Sequence, residues 1–490
     1  MRFYFLLPLL FVGQLSLSQN DTHVVEATVN QDDIKAHIYF LSDDLLKGRE
    51  TGTSENKIAA SYLANTLRSY GVRPNPKTGT FYQTVPLEKT TPSALSLSLS
   101  GTKVSNVVAF SFRPISYQQD AVYLGHGLEE DYQGADVSGK LVVVQGGSDG
   151  NSDPRSAFGL RAKKAELAKN AGALGLIEMM AFDAQIWSYL DHNFNAPSLT
   201  LANGGEEISE EFAHIWAQAP SNVSIGQLAS NELIPVTLQM DSAKIEVIKS
   251  QNVIGVVEGT DPKLKNEYII YSAHYDHVGI GAPDATGDSI YNGARDNAVG
   301  AVTVLSMAEN LAKHPTKRSA LFILFTAEEK GLLGSEYYIE NPVLPLEQMV
   351  YCFNSDNGGY NDTSLATIIG LERTTAAQYI KDAASAFGLR AIEDPSPEQG
   401  LFDRSDNVHF AKKGIPAPTF SLGFSAFDEE INKYYHQPGD HANSIDYDYL
   451  LKFFRAYVLA GRKIANAKET PFWMEGDTYE PNGLQLYGKK

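Results

Sequence analysis

From Asn252 onward, short apolar runs alternate with stretches whose apolar residues recur every third or fourth position. The runs Tyr268–Ala273, Ala320–Phe325, Met349–Phe353 and Thr419–Leu422 are apolar almost throughout, as strands covered on both faces are. Between them lie helical patterns, among them an Ala-rich stretch reaching about Ala312. This alternation predicts an α/β fold with a mixed, mainly parallel central sheet flanked by helices. Earlier, from Gln31 to about Pro74, the pattern is helical: Ile58, Tyr62, Leu63, Leu67 and Tyr70 share one face. Ser54 is placed to cap that helix, and Gly71 stands where a left-handed C-terminal cap belongs.

Between about residues 93 and 235 the character changes. The spacing predicts strands at Ala121–Leu124, Leu141–Gln145 and Leu174–Met179 and a helix over Arg161–Asn170, a smaller α/β unit of its own. His126, His192 and His214 are isolated there, with no grouping of histidines and carboxylates organised for chemistry. The phrases Tyr123–Gly127, Asp131–Val144 and Ala171–Ile177 resemble a protease-associated (PA) domain, a module inserted into peptidases where it borders the substrate cleft. The expected organisation is therefore a leader at 1–18, a first part of the main domain at 19–92, the insertion at 93–235, and the rest of the main domain at 236–490.

The leader is read from Arg2, the apolar run Phe3–Val12, and Ser16 and Ser18 ahead of a cut before Gln19. Ten apolar residues fall well short of the roughly 20 that span a bilayer. Export to the periplasm or beyond is expected, with no membrane span in the mature chain. Lys and Arg number 40 against 59 Asp and Glu, a net charge of −19, which disfavours nucleic acid as a partner. Cys352 is the sole cysteine, so an intramolecular disulfide and a thiolate metal site are both excluded, and any metal must be held by histidine and carboxylate.

Polar residues of that kind follow three of the expected strands directly. His274 and Asp276 lie two apart in an extended segment, where Asp276 can accept the spare ring N–H of His274 and set its tautomer. Asp296 precedes the Ala-rich helix; the adjacent pair Glu328 and Glu329 and then Asp356 each come just after a strand; His436 arrives much later. Singly, each reads as an ordinary surface pair, cap or turn. Gathered in one pocket, three carboxylates would repel unless cations were present. Two divalent ions offset them with one charge to spare, which a bridging hydroxide neutralises, and zinc suits two histidines with three carboxylates.

Taken in order, His274 with Asp276, Gly293–Asn297, Glu328 with Glu329, Asn354–Asp356, and Tyr435 with His436 resemble the M28 family of co-catalytic zinc aminopeptidases. The resemblance implies two zinc ions, with Asp296 bridging them, His274 and Asp356 completing one site, and Glu329 and His436 the other. It further implies Glu328 as general base acting on a metal-bridging water, a cis peptide between Asp296 and Asn297, and peptides with a free N-terminus as substrates. Tyr435 is a candidate donor to the oxyanion, with a packing role the alternative. Asn407 stands where the family often has histidine, which leaves the roles of Arg404 and Asp406 open. Two other readings of the fold remain at this point: an acyltransferase like glutaminyl cyclase, and a peptide-binding protein with a dead site.

Overall fold

The computed structural model describes residues 21–111, 114–202, 212–220 and 223–488. The expected leader, its cut before Gln19 and the Lys489–Lys490 end lie outside the described residues. The described residues form two compact units, one of the residues up to Pro86 together with those from Lys249 onward, the other within Leu87–Ile248.

The larger unit is built on a mixed sheet that runs, strand by strand, Arg390–Glu393, Leu365–Ile369, Thr419–Leu422, Met349–Ser355, Tyr268–His274, Ser319–Phe325 and Lys244–Val257. Tyr268–His274 is parallel to both its neighbours, Ser319–Phe325 and Met349–Ser355. Lys244–Val257 and Thr419–Leu422 add antiparallel pairings further out. Apolar residues alternate between two cores: Ile269, Tyr271 and Ala273 face one, Ile270 the other. The first core also takes the buried faces of helices Ser54–Ser69, Gly300–Lys313 and Tyr447–Asn466. Because both faces are covered, the central strands are apolar at most positions, the pattern legible in the sequence.

Helix Ser54–Ser69 is capped by Thr53 rather than Ser54, as Thr53 Oγ1 accepts the Asn56 N–H at 3.1 Å. Ser54 Oγ instead donates to Glu55. Gly71 closes the other end at φ +84°, a conformation that favours glycine.

Among the described residues the smaller unit holds an eight-stranded sheet with parallel pairings among Ile115–Tyr123, Leu141–Gln145, Gly175–Met180 and Ala213–Gln218. Its helix spans Pro154–Asn170, starting earlier than the expected Arg161, because Asp153 caps the chain there and Pro154 suits the first turn. The unit reaches beyond 93 and 235 at both ends. Its edges fall inside the long strands Tyr82–Thr91 and Lys244–Val257, where composition does not change. His214 is not isolated: its Nε2 lies 2.8 Å from Glu178 Oε1. The same carboxylate accepts Trp216 Nε1 at 2.8 Å and Lys164 Nζ at 3.0 Å, a buried polar core assembled from distant segments.

Candidate functional site

Three parallel neighbouring strands end together. His274 is the last residue of Tyr268–His274, Asp356 follows Met349–Ser355 immediately, and Glu328 and Glu329 lie just past Ser319–Phe325. The shared edge is where open α/β sheets gather their functional groups. Asp296 comes in from the turn before helix Gly300–Lys313 and His436 from the loop after Glu429–Asn432.

The five side chains converge. His274 Nε2 lies 3.3 Å from Asp296 Oδ1 and 3.2 Å from Asp356 Oδ1. On the other side, His436 Nε2 lies 3.1 Å from Asp296 Oδ2 and 3.1 Å from Glu329 Oε2. Asp296 thus turns one oxygen to each group. Two donors bound at about 2.0–2.1 Å to one tetrahedral ion sit about 3.3 Å apart, so both trios have the spacing of ligands to a common zinc. Glu328 stands off, its nearer oxygen 4.0 Å from His274 Nε2.

Electrostatics point the same way. Burial opposes charge on His274, yet Glu328, Asp356 and Asp296 push it well above its ordinary 6.5. Burial likewise opposes charge on His436, and Asp296 and Glu329 outweigh it, raising it to about 10. Burial and Asp296 disfavour ionised Glu329, but hydrogen bonds from His277 and His436 hold it at about 2. This cluster favours positive charge, which divalent ions would supply in place of imidazole protons. Glu328 differs from its neighbours: burial first, then Asp356, Glu329 and Asp406, raise its carboxyl well above 4.5.

The Asp296 turn is held from several directions. The Asp296–Asn297 peptide is cis, as the resemblance implied. Arg49, fully buried, donates to the carbonyls of Tyr275, Leu41, Asn292, Gly293 and Asp296. Asn297 Nδ2 donates to the Ser355 carbonyl at 2.9 Å, tying the turn to the Asp356 strand. Asp440 accepts the backbone N–H groups of Arg295 and Asp296.

Asp276 corrects an expectation. His274 Nδ1 meets the backbone carbonyl of Asp276 at 3.2 Å, while the carboxylate is 3.9 Å away. The carboxylate turns to the N–H groups of Glu328 and Glu329 at 3.2 and 3.3 Å, and to Thr51 Oγ1 at 3.0 Å. Unpaired N–H groups at a tight turn attract a buried acid more strongly than an imidazole that a carbonyl already satisfies. Tyr435 stacks on His436 with ring centroids 4.1 Å apart, and burial holds its phenol protonated.

A cavity of about 90 Å³, open to solvent, adjoins Asp356 and Tyr435. Ile369, Leu401, Phe424, Phe427 and Ile431 give it apolar walls, and exposed Arg404 lines it too. Asp406 is buried, which pushes it up to about 7. Asn407 is structural, its Nδ2 donating to the carbonyls of Phe402 and Ala417. Sequence reasoning missed Arg49, Thr51 and Asp440, and it gave His277 only a solvated, core or cleft-lining role; all four bear on the five through backbone atoms or as their neighbours. The signals were slight: His277 directly follows Asp276, and Asp440 lies four residues after His436.

Residues 252–460 match the sequence profile of Peptidase family M28. The matched region includes all five converging residues and Glu328. Over 203 residues the chain is 32% identical to aminopeptidase YwaD of Bacillus subtilis, covering 40% of each protein. It is 23% identical over 373 residues to probable leucine aminopeptidase 2 of Aspergillus fumigatus, covering 70% of this chain and 65% of that one. The matched part is thus under two thirds of either relative's length. Among solved structures, an aminopeptidase from Aneurinibacillus sp. strain AM-1 has the same fold, with TM-score 0.60 and 24% identity over 92% of this chain and 97% of the other. A zinc aminopeptidase from Bacillus subtilis, BSAP, aligns with TM-score 0.52 and 20% identity over the same shares of each chain.

Proposed function

We propose that this M28 chain is an exported zinc-dependent aminopeptidase that removes the N-terminal residue of peptides. The observation that carries this reading is Asp296 lying between two donor trios, with Glu328 beside them and bound to neither. His274, Asp296 and Asp356 would hold one ion, and Asp296, Glu329 and His436 the other. Two zinc ions, when bound there, supply Lewis acidity to the scissile carbonyl and acidify water.

The chain's own residues do the rest. Glu328 takes a proton from the attacking water and returns it to the leaving amine, a task suited to a buried carboxyl of raised proton affinity. Asp276 holds Glu328 and Glu329 in place through their backbone N–H groups rather than touching the reacting atoms. Tyr435, kept protonated by burial, donates to the carbonyl oxygen as it gains charge. The apolar cavity beside Asp356 and Tyr435 receives the N-terminal side chain. Leu87–Ile248 is read as the PA insertion, on the sequence phrases that resemble that module.

A panel of aminoacyl substrates and their N-blocked counterparts tests the assignment, assayed before and after chelation and zinc return. Release of a free amino acid from unblocked substrates only, lost on chelation and restored by zinc, is expected. Cleavage that ignores N-blocking moves the protein to the endopeptidases; pyroglutamate formation makes it a cyclase; activity that ignores chelation removes the metals.

A further inference from the structure

His277, Asp296, Glu329 and His436 offer donor atoms within 4.8 Å of one another, and His277, fully buried, is the fourth member beside the second trio. Its Nδ1 lies 2.7 Å from Glu329 Oε1 and 4.0 Å from Asp296 Oδ2. The shorter distance is well inside the roughly 3.3 Å expected of two atoms sharing one tetrahedral ion, and it is that of a direct hydrogen bond. An ionised carboxylate only accepts, so the proton sits on Nδ1 and His277 is the donor. Its Nε2 is buried with no hydrogen-bond partner among the described residues. The ring has a made slot: a Cβ on Gly293 would sit 2.6 Å from His277 Cγ and Cδ2, and Gly293 takes φ +59°. Edge-to-face against it, at 5.5 Å between centroids, stands the ring of His436.

Glu329 is therefore divided between two histidines, Oε1 to His277 and Oε2 toward His436. We propose that His277 is a positioning residue that fixes Glu329 with one oxygen held back and the other presented, and so sets the affinity of the Glu329–His436 ion site alone. This rests on the two-metal reading above. Without that hydrogen bond Glu329 is free to rotate, and an ion bound there must order it. His277 approaches the His274–Asp356 site only at the shared Asp296, 4.0 Å from its Oδ2, so that site keeps its own affinity.

Three variants test it: His277→Leu, which keeps bulk but removes the donor; His277→Asn, whose amide nitrogen replaces Nδ1; and His277→Gln, whose amide reaches the Nε2 position instead. Zinc content and dissociation constants are measured by equilibrium dialysis against buffered zinc, alongside unfolding of each metal-free protein. Wild type is expected to bind two ions. His277→Leu and His277→Gln should keep one with unchanged affinity and bind the other about 10- to 100-fold more weakly, as loss of an outer hydrogen bond typically does. His277→Asn should fall within about threefold of wild type. Equal affinities for both ions in His277→Leu overturn the inference, and so does equal weakening of both in all three variants with lowered unfolding temperatures, which marks mere packing. A wild type that binds no zinc fails the metallopeptidase reading itself, and the positioning role falls with it.

Discussion

Asp440 Oδ1 lies 2.9 Å from the Arg295 guanidinium, and its second oxygen accepts the Arg295 backbone N–H at 2.9 Å. Both side chains are buried, and the same acid reaches the N–H of Asp296. One carboxylate thus ties the loop that follows His436 to the turn that carries Asp296. Asp440→Ala should leave the Arg295 cation buried beside fewer partners and destabilise the protein by about 3–5 kcal/mol. Urea unfolding measures this; a loss below about 1 kcal/mol would mean that water or Ser444, which already accepts from Arg295, takes over the role.

Glu328→Gln removes a proton acceptor without removing a metal donor. Zinc content should stay at the wild-type value while kcat falls by about 10² to 10⁴. Near-normal turnover in metal-replete Glu328→Gln would assign the proton transfer to another group.

Ions bound only by the folded protein stabilise it by mass action. At a thousand times their dissociation constant they add about 4 kcal/mol per site, so chelation should lower the unfolding temperature and zinc should restore it. Asp296→Ala takes an oxygen from both trios and should lose both ions, whereas Asp356→Ala should spare the Glu329–His436 site. Calorimetry with and without chelator reads both effects, and an unfolding temperature indifferent to chelation in the wild type contradicts them.

In the smaller unit, burial disfavours ionised Glu178, yet hydrogen bonds from His214 and Trp216 and the Lys164 charge hold its carboxyl below the ordinary 4.5. A depressed carboxyl contributes stability that is present above its unfolded value and lost as pH falls through the folded one. Unfolding of this unit, followed by tryptophan fluorescence with Trp216 in the same cluster, should therefore move to lower temperature as pH drops below about 4.5. Glu178→Gln should be less stable at pH 7 and show a shallower acid dependence. A parallel dependence in the two proteins would exclude Glu178 as the source.

How far the sequence could be read depends on what kind of contact carried each feature. Strands buried on both faces are apolar at nearly every position, so Tyr268–His274 and Ser319–Phe325 were visible to within a residue. Arg390–Glu393 escaped, being a short strand at the sheet's end with partly exposed residues and no such run. The cap at Thr53 was misplaced by one position, because Thr and Ser side by side both suit it and only the geometry of the turn chooses.

The linear chain by itself determined the alternating architecture and which acids and histidines follow which strands, since period and residue chemistry are local properties. Tertiary structure alone decided that Asp276 serves two backbone N–H groups instead of His274, and that Arg49 and Asp440 brace the Asp296 turn. Those relations join residues up to 247 positions apart in the chain. Such partners are chosen by which buried N–H or C=O group is left unsatisfied once the sheet has formed, and no local pattern of residues encodes that choice.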